Sequence, residues 1–247
     1  EVLPIPVTAH GPELDAFERL CRGRPVRAVY CMPTLHNPLG WVMGTEQRAH
    51  LVSIARQYDL TIIEDAAYAF LIEKAPLPMV SLAPERTVYV SGLSKSVATG
   101  LRVGFVVAPI QHISALERAI RATVWNVPGV MTAIATAWLD DGTVSLLESQ
   151  KREDAQARQH LADEVLSGLP YLRHPSSYLI WLPLSEDVRA DQVAMMLMSE
   201  HVSVSTAEPF AITAHIPHAI RLALGSVDMI ALREALLKVR RVVEALG

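Results

Sequence analysis

The sequence has little or nothing of several features that would each point to one class of protein. It has only two cysteines in 247 residues, Cys21 and Cys31, without the CxxC spacing of metal and redox sites, so we expect reduced thiols in a cytoplasmic protein. No apolar run approaches the roughly 18–20 residues that span a bilayer, and no basic-then-apolar signal peptide opens the chain. The net charge of −4 gives no basic footprint, so we expect no direct nucleic-acid contact from this segment.

Motifs for nucleotides and metals are missing as well. No glycine-rich dinucleotide or P-loop fingerprint precedes a helix, so nucleotide binding is unsupported. His215 and His218 have no third ligand nearby, and their Ile-Pro spacer favours a loop over a metal site. With 51% hydrophobic and 19% charged residues, the composition is that of a soluble globular protein.

The first half of the chain predicts an α/β sheet. Apolar runs at 26–32, 60–64, 87–90 and 103–108 are typical of buried strands. Thr45 is a plausible N-cap for a helix to about Tyr58 between the first two strands, and a crossover of this length implies parallel pairing. Residues 91–102 are too few for a helical crossover, so we expect the fourth strand to run antiparallel to the third.

The second half predicts further helices and a second, smaller domain. Helices are expected at 111–123 and 129–140, followed by a long, largely polar helix that a capping box of Ser145 and Glu148 opens and that bridges two domains. Strand-like runs follow at 178–184, 202–205 and 220–224, and a last helix starts near Asp228. We therefore place one domain at 1–142 and a second at 143–247.

Polar residues converge where these strands meet one edge of the sheet. The topology brings together Asn37, Asp65, Lys95 and Arg102, at the edge where open α/β sheets bind ligands. A lysine amine, a carboxylate and an arginine are the groups that hold pyridoxal phosphate: a Schiff base, a partner for the ring nitrogen and a fork for the phosphate. Burial near other cations would lower the pKa of such a lysine and help it exchange between amines.

Each of these residues also has an ordinary structural interpretation. Lys95 could be a surface loop lysine, Asp65 a turn former or helix cap, and Arg102 a strand cap. Asn37 lies in Asn-Pro-Leu-Gly, a combination that ordinary turns use. It is the convergence of the four that favours a site.

Three further residues complete the predicted site. Tyr68 could present its hydroxyl to the same ring or be a half-buried aromatic, and Ser94 could donate to phosphate or serve a turn. Arg221 enters an apolar strand, where a charge is costly unless paired. A substrate carboxylate could supply that partner through a bidentate bond, and a local acid is the alternative.

The stretches PTLHNPLG (33–40), IIEDAAY (62–68), SGLSKSVATGLRVG (91–104) and IRLALG (220–225) resemble the class I/II aminotransferases, pyridoxal-phosphate proteins of fold type I. The resemblance implies an α/β fold: a three-layer αβα large domain with a mixed, mostly parallel sheet, and a smaller α+β C-terminal domain. It implies pyridoxal 5'-phosphate as cofactor, with Lys95 forming the aldimine and Asp65 on the ring nitrogen. It also implies Asn37 and Tyr68 on the phenolic oxygen, Ser94 and Arg102 on the phosphate, and Arg221 with Asn37 at the substrate.

The sequence departs from the family pattern in three respects. Leu39 replaces the threonine of the usual Asn-Pro-Thr-Gly, and Gly92 stands where a serine or threonine often binds phosphate. The chain opens on Glu1 and lacks the family's upstream portion, which includes the glycine-rich phosphate loop and the aromatic that stacks on the cofactor. We expect an incomplete cofactor pocket that can occur without pyridoxal phosphate.

Within the superfamily, the stretch 137–142 (AWLDDG) and the helix after it look most like the aminotransferase-like domain of MocR-type regulators in the GntR family. The first hypothesis is accordingly a domain that senses an amino acid or amine through exchange at Lys95, with DNA bound only by an upstream domain. The alternative is a stand-alone aminotransferase that transfers an amino group between an amino acid and a 2-oxo acid. A β-lyase or decarboxylase is a third. The family also implies a homodimer.

Overall fold

The structure is a computed structural model that describes residues 1–8 and 10–247. Its contacts divide the chain into two compact units. The N-terminal unit comprises Ile5–Leu35 and Val42–Lys151, and the C-terminal unit comprises Glu1–Pro4, His36–Trp41 and Arg152–Gly247. The domain boundary between 142 and 143 stays a prediction, and one short internal loop, His36–Trp41, belongs with the C-terminal unit.

The N-terminal unit alternates strands and helices. Its elements are β1 (Val7–Thr8), β2 (Gly11–Pro12), α1 (Leu14–Gly23), β3 (Ala28–Cys31), α2 (Thr45–Gln57), β4 (Thr61–Asp65), α3 (Met79–Leu82), β5 (Thr87–Gly92), α4 (Leu93–Ser96), β6 (Gly104–Val107), α5 (Ile110–Thr123) and α6 (Gly129–Asp140). The long helix α7 (Thr143–Val165) begins in this unit and ends in the other.

The central sheet of this unit has the strand order β3-β4-β5-β6. The first three strands are parallel, and β6 is antiparallel to β5. The prediction from the short connection before β6 is therefore confirmed. Parallel strands have their carboxyl ends at one edge of a sheet. The residues that follow β3, β4 and β5 therefore lie at the same edge as the residues that precede the antiparallel strand β6.

The α2 helix packs its apolar face into the core of the N-terminal unit. Leu51, Ile54 and Ala55 are almost fully buried, as is Ile62 in β4. Leu51, Ile54 and Ala55 are three and four residues apart, as residues on one face of a helix are. A second cluster, formed by Leu93, Leu101, Ala135 and Val144, fixes the short helix α4.

The C-terminal unit is an antiparallel sheet with helices. It contains β7 (Leu172–Arg173), β8 (Leu179–Pro183), α8 (Ala190–Ser199), β9 (Ser205–Thr206), β10 (Ala219–Ala223) and α9 (Met229–Leu246). The strand order is β7-β8-β10-β9, with all pairs antiparallel. Apolar residues of α7, β8, α8, β10 and α9 form its core.

Several local predictions were wrong. Thr45 lies inside α2, and the cap is Gly44, whose N–H donates to Gln47 Oε1 at 3.0 Å. The Ser145 box does not open α7, because the helix already begins at Thr143, whose N–H donates to Asp141 Oδ1.

The second half of the chain also departs from the predicted elements. Of the predicted strand 202–205, only Ser205 lies in a strand, as the first residue of the two-residue β9. The sequence pattern also failed to predict α8. The last helix starts near Asp228 as predicted, and the Asp228 side chain caps it by accepting from the N–H groups of Ile230 and Ala231.

No helix among residues 1–8 and 10–247 combines the length and the apolar character that crossing a bilayer requires.

A glycine at position 92 is demanded by the close approach of β5 and β6. A Cβ built on Gly92 would lie 2.8 Å from the carbonyl oxygen of Val103 and 3.0 Å from Gly104 Cα, both of them backbone atoms. We expect Gly92→Ala to lower the free energy of unfolding by roughly 1–3 kcal/mol, measured in urea, because these atoms cannot move aside cheaply. Gly100→Ala is the matched control, since its Cβ would meet nothing within 4 Å. Equal effects of the two substitutions would contradict this account.

Candidate active site

Lys95 lies on the four-residue helix α4, directly after β5. Its Nζ lies 5.8 Å from the centroid of the Tyr68 ring. The structure thus brings the predicted amine and the predicted phenol together. The Lys95 side chain is exposed, because α4 turns Leu93 and Ser96 inward. Its carbonyl oxygen accepts a hydrogen bond from Lys151 Nζ at 2.9 Å.

Asp65 is the last residue of β4, and it pairs in register with Val90 of β5. Its two carboxylate oxygens have different partners: Oδ1 accepts from the N–H of Ala67 at 2.9 Å, and Oδ2 accepts from the Tyr30 hydroxyl at 2.8 Å. These two donors fix the orientation of the carboxylate. Partial burial, and then the bond to Asp65, raise the pKa of Tyr30.

Sequence reasoning missed Tyr30. The residue lies on the exposed face of β3, between the buried Val29 and Cys31. The alternation of an aromatic with two apolar neighbours signals only its face. Nothing local in the sequence reveals that the hydroxyl reaches a strand 35 residues further along the chain.

Ser94 and Arg102 flank Lys95 along the chain. Ser94 is partly buried on α4, and its carbonyl oxygen accepts from Thr99 Oγ1 at 3.4 Å. Arg102 is exposed and adopts a left-handed backbone conformation with φ of 53°. A non-glycine residue in this region is uncommon and costs about 1–3 kcal/mol, which is tolerated most often at functional sites.

The C-terminal unit holds Asn37 and Arg221 together. Arg221 Nη1 donates to Asn37 Oδ1 at 3.2 Å, and Nη2 donates to Ser205 Oγ at 3.2 Å. The guanidinium carbon lies 4.9 Å from the centroid of the Phe210 ring. The buried Nε of Arg221 has no hydrogen-bond partner among the described residues. The local acid that was the alternative partner is therefore not found within the described part of the chain.

The loop that carries Asn37 is tightly built. Gly40 has φ of 77°, and a Cβ there would lie 3.0 Å from backbone atoms of Arg173 and His174, so glycine is required. Leu39, the residue in place of the family's threonine, packs against an apolar cluster of Trp181, Ala207, Ala219 and Phe210. The departure at position 39 thus fills a hydrophobic contact.

His36 and Trp41 close the same loop. Their rings stack with centroids 4.2 Å apart, and the N–H of His36 donates to the carbonyl oxygen of Trp41. Burial lowers the pKa of His36 to about 4. The imidazole is consequently neutral at pH 7, and its Nδ1 accepts from the N–H of Leu39 at 3.4 Å.

A family model described as aminotransferase class I and II matches residues 5–239. The match covers most of the chain, and the chain belongs to this family. Both the fold class and the family resemblance read from the sequence are confirmed.

The similar proteins are of two kinds. The chain is 26% identical over 98% of its length to the uncharacterized HTH-type transcriptional regulator YdeF of Bacillus subtilis, of which it covers 53%. It is 27% identical over 99% of its length to 2-aminoadipate transaminase of Thermus thermophilus, of which it covers 64%. The chain therefore spans between about half and two thirds of the length of these relatives.

The similar solved structures share the fold. LysN, the α-aminoadipate aminotransferase of Thermus thermophilus, was solved in complex with N-(5'-phosphopyridoxyl)-L-leucine. It superposes with a TM-score of 0.91 at 24% identity, over 100% of this chain and 66% of that one. An archaeal alanine:glyoxylate aminotransferase gives the same TM-score and identity over 100% of this chain and 64% of that one.

The cofactor of this family is pyridoxal 5'-phosphate, and the groups described above fit it chemically. In the N-terminal unit an exposed lysine amine lies beside a tyrosine, and an oriented carboxylate ends the neighbouring strand. In the C-terminal unit a buried guanidinium nitrogen lacks a partner among the described residues. The assignment of each residue to an atom of the cofactor stays a prediction.

The low pKa of His36 predicts how stability depends on pH. His36 takes up a proton near pH 6.5 in the unfolded chain and only near pH 4 in the folded chain. The stabilisation is therefore complete above pH 6.5 and is lost as the pH falls towards 4, by at most about 3 kcal/mol. Urea unfolding at pH 7.5 and pH 5 should show this loss in the wild type and a smaller loss in His36→Phe, which keeps an aromatic ring. His50→Phe, at an exposed position of α2, should behave as the wild type does; an unchanged pH profile in His36→Phe would contradict the assignment.

Proposed function

We propose that this chain is the aminotransferase-like, pyridoxal-phosphate-binding part of a MocR-type regulator of the GntR family, and that it senses an amino acid or amine. The Lys95 amine would hold the cofactor, and the amine of an amino compound would be able to take the place of Lys95 on it. The observation that carries the proposal is that, in a chain of this family, Asp65 ends β4 and Lys95 lies directly after β5, its parallel neighbour.

The residues of the N-terminal unit have roles that follow from their chemistry. When bound, the cofactor supplies an aldehyde for the amine and a ring that withdraws electrons. Asp65, oriented by Tyr30 and Ala67, holds a proton on the ring nitrogen. Tyr68 donates to the phenolic oxygen. The Ser94 hydroxyl and the Arg102 guanidinium hold the phosphate, the arginine as a permanently charged planar fork.

The residues of the C-terminal unit recognise the amino compound. Asn37 accepts from Arg221 through Oδ1, which leaves its NH₂ group free to donate to the phenolic oxygen. Arg221 is held by Asn37 and Ser205 and lies over Phe210, so its fork is oriented before any ligand arrives. A carboxylate is the natural ligand of such a fork, which makes α-amino acids the favoured class.

The likeness to YdeF along nearly the whole chain supports the regulator. In that case DNA is bound through a domain outside this segment, and the protein acts in the cytoplasm as a homodimer. The similar likeness to 2-aminoadipate transaminase supports a second candidate, an aminotransferase that passes an amino group between an amino acid and a 2-oxo acid. In the second case Lys95, once freed, would also carry a proton during each turnover.

Lys95→Ala tests the covalent attachment. In the full-length protein, borohydride reduction followed by digestion should leave the pyridoxyl group on the peptide that contains Lys95, and the variant should lose both this label and the visible absorption band. Lys74→Ala, at an exposed lysine of the same unit, is the control and should keep both. A band and a label retained in Lys95→Ala would refute the lysine's assignment.

Exposure of the full-length protein to amino acids separates sensor from enzyme. A sensor should shift the cofactor's absorbance reversibly and release no 2-oxo acid, whereas rapid, complete conversion to the pyridoxamine form would identify an aminotransferase.

Arg221→Lys keeps the charge and loses the fork, so it should weaken the response to α-amino acids by roughly tenfold or more. Its response to simple amines without a carboxylate should be unchanged, and equal weakening of both classes would remove Arg221 from carboxylate binding.

A further inference from the structure

Arg48 is the largest fully buried side chain of the N-terminal unit that carries a charge. It lies on α2 with none of its side chain exposed. Nε donates to the carbonyl oxygen of Met43 at 2.9 Å, Nη2 to Pro33 O at 3.0 Å and Thr34 Oγ1 at 2.8 Å, and Nη1 to Leu77 O at 3.3 Å. Glu64 Oε1 lies 3.8 Å from Nη1. Every nitrogen of the guanidinium is therefore engaged.

Stability alone does not account for an arginine at this position. Its neighbours on the buried face of α2, Leu51 and Ala55, are apolar, and a well-packed apolar side chain in place of a buried ion pair is often neutral or stabilising. Burial lowers the pKa of Arg48 and raises that of Glu64, which is the cost of desolvating both groups. A buried charge with this many directed bonds is better explained by the geometry it imposes.

One set of bonds fixes both ends of the Asn37 loop. The chain leaves the N-terminal unit after Leu35 and returns to it at Val42. Arg48 binds Pro33 and Thr34 on the outgoing side and Met43 on the returning side. A β-bridge between Thr34 and Val42 and a bond from Met43 N–H to Pro33 O close the same base.

The ion pair fixes the end of β4. Glu64 is 1% exposed and immediately precedes Asp65. Its other carboxylate oxygen, Oε2, accepts from the N–H of Val80 at 3.2 Å, which anchors the strand end to α3. Because side chains alternate along a strand, holding Glu64 inward turns Asp65 to the opposite face.

We propose that Arg48 is a positioning residue for the cofactor: through one guanidinium it holds, within the N-terminal unit, the residues that flank the Asn37 loop and the strand end that carries Asp65. The proposal rests on the proposed function, in which Asn37 and Asp65 serve the phenolic oxygen and the ring nitrogen. Arg48 itself touches neither cofactor nor substrate.

The test compares Arg48→Met and Arg48→Lys with the wild type in the full-length protein. Three quantities are measured: the free energy of unfolding in urea without cofactor, the Kd of the folded protein for pyridoxal phosphate, and the pH midpoint of the change in the visible absorption band. We expect Arg48→Met to raise the Kd roughly tenfold or more. A less firmly held Asn37 donates more weakly to the phenolic oxygen, so the pH midpoint should rise. Arg48→Lys should lie closer to Arg48→Met than to the wild type, because a point charge cannot reproduce the fork.

Arg56→Met is the matched control. Arg56 lies on the same helix and binds a carboxylate and a carbonyl oxygen, those of Glu85 and Leu82, but about half of its side chain is exposed. We expect the Kd and the pH midpoint of Arg56→Met to equal those of the wild type. If Arg48→Met loses stability while Kd and pH midpoint stay at wild-type values, its role is structural only and the proposal is overturned.

A second variant decides the case in which Arg48→Met does not fold. Thr34→Val keeps the shape of the side chain and removes the hydroxyl that accepts from Nη2. A raised Kd with a raised pH midpoint supports the proposal, and unchanged values overturn it. If the wild type itself carries no label on Lys95 after borohydride reduction, the proposed function has failed, which is a different outcome from loss of affinity in the variants alone.

Discussion

The parallel pairing of β4 with β5 is the constraint on which the candidate site depends. Asp65 pairs with Val90, and the N–H of the following residue, Ala66, donates to the carbonyl oxygen of Val90 at 2.9 Å. This register sets where β4 ends relative to the start of α4, and so where the carboxylate lies along the sheet edge that also leads to Lys95. A slip of one residue would turn Asp65 to the opposite face, because side chains alternate along a strand.

A second constraint operates within the C-terminal unit, where a charge is carried into a sheet. Arg221 of β10 is partly buried, yet its bonds are to an amide and a hydroxyl and its π contact is to Phe210. Neutral partners orient a guanidinium without neutralising it, and Nε is left without a partner among the described residues. An arginine without a carboxylate partner can bind an anion, whereas a salt-bridged arginine is already paired with one.

The sequence predicted those features that depend on neighbours along the chain. The strands of the central sheet, the antiparallel β6 and the start of the last helix near Asp228 follow from apolar runs, connection length and helical periodicity. It failed where two local signals compete, as at Gly44 and Thr45, since both residues suit the start of a helix. It also failed for contacts across the sheet: the bond from Tyr30 to Asp65 and the burial of Arg48 are set by which strand and helix lie beside which, and a local pattern carries no such information.

The departures from the family's usual residues follow from packing, and they bear on what the chain does. At position 92 the carbonyl of Val103 excludes any side chain, so a hydroxyl there is ruled out and the phosphate would depend on Ser94 and Arg102. At position 39 a leucine completes an apolar cluster without displacing Asn37 from Arg221. Neither change removes the amine, the carboxylate or the guanidinium. The proposed exchange of an amino compound at Lys95 would use these groups, and a sensor and an aminotransferase would share that step.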